Sequence, residues 1–484
     1  MAKMNNTISC LLSKKRVYLL LSLGLVLLLG VFAVGCGNSQ VSGAAGGSNT
    51  LTISVVTKDI YLDAAVKKFE ELHPGVTVKV EEYTSNPLPA SSGGKNQEMI
   101  LRKEDPADIE KYLTAMNAQL MTGQGSDILL LNHLPYETYA DKNLLVDIGQ
   151  LMESDPGFDL SKYYGNILEA LKYKDSLYGL PLSFSVDMMA ADKALLENSQ
   201  VEIDDSTWTW EDFVQAAEKV IEDRNGGEDG EIYALAGMNE TMLITSLVRE
   251  NFSKLVDGEK KEAYFDSQEF LDLLNLCRYL IDHNLLNTEP SQNKAMELAA
   301  RGNLVFSITS LKGLVNLQTL KATFGGEVQL LKPPGQEGDL SFSTDSLYGI
   351  NNNSANQELA WEFLKFLVSD EMMSQSMFLG MPVNKSVVPE MINQANDTAQ
   401  KRGAKIMMKS AGESQAQNIT LEPLAQEDID FVESLLTKAN VYNGTNQKIL
   451  SIVQEETTAF FTGQKSAEMT AKLIQDRVNT YLHE

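Results

Sequence analysis

From Leu51 onward the chain switches repeatedly between two hydrophobic rhythms. Leu51-Thr52-Ile53-Ser54-Val55-Val56 is a short β-branched run and reads as a strand. Asp63 to Leu72 follows, with Ala65, Phe69 and Leu72 at i, i+4 and i+7, one apolar stripe of a helix. His73-Pro74-Gly75 stops that helix, and Val76-Thr77-Val78-Lys79-Val80 alternates as a second strand. Strand, helix and strand in close succession make a βαβ unit and predict a parallel sheet.

Pro87, Pro89, Gly93 and Gly94 make residues 85–107 an exposed loop. A helix near Ile109 to Met121 then leads to a third strand, Asp127-Ile128-Leu129-Leu130-Leu131. Its unbroken apolar run fits a strand covered by helices on both faces. Thr209 reads as a helix N-cap, with Asp212 three residues on and Phe213, Ala216, Ala217 and Val220 facing inward. Ser354 and Gln357 read as a capping box before Leu359, Ala360, Phe363, Leu364 and Leu367. The last hundred residues read as mostly helix, ending in the amphipathic segment Ala467 to Leu482. The alternation of elements predicts an α/β protein.

The amino end follows a different pattern. Lys14, Lys15 and Arg16 precede an uncharged, largely apolar run of 18 residues from Val17 to Val34. A basic start, an apolar core and small residues at the cut describe a secretory signal. Ala33-Val34-Gly35-Cys36 resembles the lipobox of bacterial lipoproteins, with Ala33 where Leu is usual. That resemblance implies a signal peptide over 1–35, a lipid-modified Cys36 and a small, polar tether over 36–50. The competing reading is an uncleaved membrane anchor, since such a run borders on spanning length. Both readings place the bulk of the chain outside the cytoplasm.

At 484 residues the chain exceeds what one core usually organises, so two lobes are the expected minimum. Cys10 leaves with the signal and Cys36 carries lipid, so Cys277 has no disulfide partner and reads as a small core residue. The formal charge is -26; removing residues 1–35 takes away four positive charges and no negative one, leaving -30. That field disfavours nucleic acid and anionic headgroups as partners. His73, His133, His283 and His483 have no metal-ligand spacing, and no phosphate-cradling or nucleophile-elbow motif is present. No metal or cofactor is therefore expected. Acidic residues are plentiful enough to leave an extracellular glycosidase open.

The ordered blocks resemble family 1 extracellular solute-binding proteins. The match runs through Val66-Lys67-Lys68-Phe69-Glu70-Glu71-Leu72-His73-Pro74-Gly75-Val76, Gly125-Ser126-Asp127-Ile128 and Leu144-Leu145-Val146-Asp147-Ile148. It continues through Leu177-Tyr178-Gly179-Leu180-Pro181, Thr207-Trp208-Thr209-Trp210-Glu211-Asp212-Phe213, Ala360-Trp361-Glu362-Phe363-Leu364-Lys365-Phe366-Leu367 and Gly380-Met381-Pro382-Val383-Asn384. The resemblance implies an α/β, two-lobe, periplasmic-binding-protein-like clamp with a ligand cleft between the lobes and a helical carboxy-terminal segment. It puts residues 51–182 and 340–378 in the first lobe, and 183–339 and 379–484 in the second. Its partners would be a small-molecule solute and the membrane permease of an ABC importer, met by a lipid-anchored monomer on the extracellular face of a bacterial cell membrane.

Ligands of parallel α/β sheets lie beyond the carboxyl ends of the strands. With the family pattern, this selects Thr57, Lys58, Asp59 and Tyr61 after the first strand, Tyr83 after the second, and Asn132, His133 and Tyr136 after the third. Ser183, Phe184, Ser185 and Asp187 stand at the lobe crossing; Met238, Thr309, Ser310, Asp345 and Tyr348 complete the set. Asp59 and Ser185 are the expected hydroxyl acceptors, although Asp59 equally suits a helix cap. Tyr61, Tyr83 and Tyr136 are read as stacking faces or as lobe packing. Trp208, Trp210 and Trp361 read as framework, and Leu131 and Lys312 stand where many sugar-binding relatives present aromatics. Carbohydrate is thus the leading solute on family grounds alone, with a peptide or amino sugar open. A sensor or adhesin built on the same clamp is the alternative to transport.

Overall fold

The first strand, β1 (Thr50–Val55), pairs in parallel with β2 (Thr77–Glu82), with Leu51 opposite Val78 and Ile53 opposite Val80. The helix Ile60–Leu72 connects them and buries Leu62, Ala65 and Phe69. Leu72 departs from the expected stripe: it is 49% exposed, because the helix ends beside it and His73-Pro74-Gly75 turns the chain away. Gly75 takes a positive φ of 95°, a conformation glycine adopts freely. The computed structural model describes residues 49–87, 104–224, 231–336, 339–375, 378, 380–402, 405–408, 417–444 and 446–483. The signal, the tether up to Ser48, Cys36 and most of the 85–107 loop lie outside the described residues.

The first sheet has the order β2-β1-β3-β11-β4, where β3 is Ile128–Leu130, β4 Leu180–Pro181 and β11 Leu347–Ile350. β3 joins β1 in parallel, but β11 runs antiparallel to both β3 and β4. The sheet is therefore mixed rather than purely parallel, because one strand arrives from a late, distant part of the chain. The second sheet is built on β5 (Ser183–Asp192), which is buried along its length except at Ser183. Antiparallel to it run β8 (Phe306–Leu311), β9 (Val328–Leu331), β10 (Ser341–Ser343) and β12 (Met381–Pro382), and β15 (Val441–Tyr442) pairs with β10. Neither sheet closes on itself.

Two short hairpins stand apart, β6 (Val256–Asp257) with β7 (Glu262–Ala263), and β13 (Lys405–Met408) with β14 (Gln417–Thr420). The second hairpin interrupts the expected carboxy-terminal helices, which otherwise form at Val388–Arg402, Gln426–Lys438, Gln447–Phe461 and Ala467–His483.

Each sheet has its own apolar core. Leu51, Ile53, Phe69, Ile128, Phe363 and Leu364 anchor the first, which continues through Phe184, Val186 and Phe342 where the chain changes sheets. Phe213, Leu243, Phe270, Leu274, Val453 and Ile474 anchor the second. The carboxy-terminal stretch divides between them: Val383, Val387, Val432 and Leu436 join the first core, and the last two helices join the second. Trp208 donates Nε1 to Lys332 O, and Trp361 donates Nε1 to Asp155 Oδ2, so both buried indoles brace framework as expected. Cys277 is fully buried, and desolvation pushes its thiol well above the usual range.

The two predicted caps fare differently. Asp212 Oδ2 accepts from Thr209 N and Oγ1 while Asp212 N donates to Thr209 Oγ1, a complete capping box. Ser354 does not form the expected box with Gln357; its Oγ donates to Asp127 Oδ1 at 2.6 Å and accepts Asn356 N at 2.9 Å, and the helix Gln357–Leu367 starts behind Asn356. Buried Asp127 also takes Thr52 N, Thr52 Oγ1 and Asn356 Nδ2, and this demand for donors outcompetes a local cap. Among the described residues no helix is long and apolar enough to cross a membrane, and no acid, histidine or cysteine group is arranged to hold a metal ion.

Candidate functional site

The chain passes from the first sheet to the second at Pro181-Leu182-Ser183, returns at Ser343 to Leu347, and enters the second sheet again at β12, where Pro382 pairs with Ser183. Pro181 pairs with Leu347 on one side, and Ser185 pairs with Ser343 on the other. Ser183 N donates to Ser346 Oγ at 3.1 Å, and Thr344 Oγ1 donates to Ser183 O at 2.6 Å. Asn132, at the end of β3, donates Nδ2 to Thr344 O and accepts Leu347 N at Oδ1, 2.8 Å away. Asn132 and Ser183 thus tie the first two crossings together with hydrogen bonds that survive only if the strands keep their register. Ser185 is buried, with Oγ 3.1 Å from Ser343 Oγ. Phe184 presents its ring to Tyr164 and Phe342 and belongs to the core.

At the carboxyl end of β1, Asp59 is the N-cap of Ile60–Leu72, its Oδ1 accepting Leu62 N at 2.7 Å. Asp59 keeps an exposed surface. Desolvation raises its carboxyl, against the backbone bonds from Leu62 and Tyr61. Thr57 is half-buried beside it, and Lys58 spends its Nζ on Asp63 at 2.8 Å. Tyr61 points inward: its hydroxyl donates to Leu367 O at 2.5 Å and its ring meets Phe378 edge-on, so it offers no stacking face. Burial, and then the Asp59 charge, raise both the Tyr61 and Tyr348 phenols. Tyr83 is half-buried, set edge-on to Tyr112, and accepts Gln119 Nε2.

Past β3, His133 Nε2 lies 2.6 Å from Glu104 Oε2. Tyr136 is half-buried; desolvation raises its phenol, with the Tyr442 charge next. Its neighbour Glu137 reaches the turn between β6 and β7: a Cβ built on Gly258 would stand 2.3 Å from Glu137 Oε2. Desolvation raises the Glu137 carboxyl, reinforced by Asp141, Glu259 and Asp257.

On the second sheet Asp187 is the hub. Oδ1 accepts Ser310 Oγ at 3.0 Å; Oδ2 accepts Ser341 Oγ at 3.2 Å and Asn443 Nδ2 at 2.9 Å. Burial raises its carboxyl, while those three bonds and the Arg249 charge oppose the rise. Glu250, the last residue of the helix Glu240–Glu250, is pushed up to about 8 by desolvation and then by the Asp187 charge, with Arg249 opposing. Thr309 is half-buried on β8, and half-buried Met238 packs against the second core. Asp345 is exposed, 4.0 Å from Lys312 Nζ, a pair worth little in water.

The predicted residues therefore separate by contact. Asp187 with Ser310, Ser183 with Asn132 through the Thr344 to Leu347 turn, and Asp59 with Tyr61 and Tyr348 are brought together; Tyr61, Phe184 and Tyr348 are packed as framework. Sequence reasoning missed Glu137, Glu250, Tyr442 and Asn443. An acid closing an amphipathic helix, as Glu250 does, looks like any solvated residue until the fold sets it beside Asp187.

Two α/β lobes joined by bonded crossing strands, with acids and hydroxyls at the sheet ends, define a solute-binding clamp. The chain belongs to the bacterial extracellular solute-binding protein family, whose profile matches residues 56–374. Among solved structures it is similar to an ABC substrate-binding protein from Listeria monocytogenes in complex with cycloalternan, with 18% identity, 90% of this chain and 99% of that one covered, and a TM-score of 0.55. It is also similar to the sugar-binding protein MalE from the phytopathogen Xanthomonas citri, with 15% identity, 90% and 97% coverage, and a TM-score of 0.60. A family 1 extracellular solute-binding protein from Alicyclobacillus acidocaldarius matches with 16% identity, 91% and 100% coverage, and a TM-score of 0.57. At these identities the likeness establishes the two-lobe fold.

Proposed function

We propose that this chain is the extracellular solute-binding lipoprotein of an ABC importer. It captures a polar organic solute, a saccharide, by lobe closure and delivers it unchanged to the membrane permease. The observation that carries this reading is the pair of bonded crossings at Ser183 and Thr344 to Leu347. They let two separately cored lobes swing about a fixed axis, and a solute touching both lobes then favours the closed state. The proposed lobes are 51–182 with 340–378, and 183–339 with 379–484, although Val383, Val387, Val432 and Leu436 of the last stretch pack on the first core.

In this reading Thr57, Asp59, Tyr83 and Tyr136 face the solute from the first lobe. Ser183, Ser185, Asp187, Met238 and Ser310 face it from the crossing and the second lobe, with Asp345 at the rim. Asn132, Tyr61 and Phe184 hold the walls in place. Carboxylates and hydroxyls suit sugar hydroxyls, because each accepts or exchanges a hydrogen bond with them. The signal over 1–35 and lipid on Cys36 keep the monomeric clamp at the outer face of the membrane. Known sugar-binding structures share the fold, which supports the solute class. A melting-shift screen over oligosaccharides, peptides and amino sugars tests the reading, since a ligand of the folded state raises the melting temperature by mass action. A flat response to every class contradicts it.

A further inference from the structure

Around Asp187, hydrogen-bond acceptors outnumber donors. Asn443 is only 2% exposed and commits Nδ2 to Asp187, yet its Oδ1 has no donor. Turning that amide over would set its oxygen against the Asp187 carboxylate, so the orientation is fixed. Gln336 donates Nε2 to Ser341 Oγ at 2.9 Å, and its buried Oε1 is likewise unpaired. Glu250 brings a second carboxyl to this cluster, its proton held on by burial and then by the Asp187 charge. Arg249 sets a positive charge against both carboxyls but is itself exposed.

Unpaired buried acceptors call for donors. A neutral sugar hydroxyl brings one donor and an acceptor with it, whereas an ammonium brings three donors, no acceptor and a positive charge. The overall charge of -26 also draws cationic solutes toward the chain. We propose that the solute is an amine-bearing saccharide whose ammonium docks against Asp187, Glu250 and the free Oδ1 of Asn443. This rests on the saccharide-clamp reading and narrows it.

Calorimetric titration of the purified full-length chain with the trisaccharide of glucosamine, and with its fully N-acetylated counterpart, tests the proposal. Acetylation replaces the ammonium by an amide and leaves the ring unchanged. The amine form is expected to bind at least about tenfold tighter at pH 7, and Glu250→Gln, checked for an unaltered fold by its melting curve, is expected to cut that preference about tenfold. Equal affinity for the two forms, binding of neutral sugars such as maltotriose alone, or an amine preference untouched by Glu250→Gln overturns the inference while leaving the clamp intact. No binding of any saccharide overturns the inference and the clamp reading together.

Discussion

Gly380 lies so close to Ser183 that a Cβ built on it would stand 2.2 Å from the serine Cβ. The contact sits where β12 crosses the start of β5, with Pro382 opposite Ser183, and the atom met is a Cβ fixed to the backbone. Gly380→Ala must therefore displace the crossing strand. We expect destabilisation of about 1–3 kcal/mol by overpacking, and weaker solute binding because the hinge is the part displaced. Chemical denaturation read beside a binding titration checks both effects; unchanged stability and affinity would show that the crossing yields without cost.

Asp127 holds four donors, two from Thr52 and one each from Ser354 and Asn356. Asp127→Ala strands them in a buried setting, at about 1–3 kcal/mol for each donor that water does not reach. Denaturant unfolding should show a loss of several kcal/mol, with solute affinity of the folded fraction kept.

Asp155 and Glu250 should give opposite pH signatures. The Lys365 ammonium at 2.8 Å, then Gly157 N and Trp361 Nε1, hold the Asp155 carboxyl down to about 2. A depressed carboxyl stabilises the fold above its unfolded value of about 4, and that contribution is lost as pH falls toward 2. Asp155→Asn should flatten the melting profile in that window.

For Glu250 the sign reverses. Its folded value of about 8 exceeds the unfolded one, so stability is lost as pH climbs from about 4.5 to 8. Asp187 and Arg249 are the charges acting on it. Glu250→Gln should stabilise the unliganded protein at pH 8 by roughly 1–2 kcal/mol, screening by solvent allowed for, with the gain vanishing near pH 4.5. Melting curves of both proteins across that range check it.

Much of the fold was legible because it is local. The βαβ opening, the apolar third strand, the Thr209–Asp212 box and the framework tryptophans each follow from residues within one or two turns of each other. What the sequence hid is long-range. Nothing near Ser354 announces that Asp127 will claim its hydroxyl, and nothing near Leu347 says that its strand will enter the first sheet antiparallel. The site suffers most. Asn443 and Asp187 lie 256 positions apart, and Glu137 meets Gly258 only once both lobes are built. Asp59 could be read either as a cap or as a ligand acceptor, and its geometry shows the cap.

Cys36→Ser should move the protein from the membrane fraction to the soluble one without changing solute affinity. Fractionation of cells expressing each form decides this, and an unchanged membrane share would remove lipid attachment at Cys36 from the account.

Closure is the central claim, and small-angle X-ray scattering with and without saturating solute tests it most directly. The account predicts a smaller radius of gyration in the liganded protein, as two lobes fold together over the solute. An identical scattering profile at full saturation would contradict it.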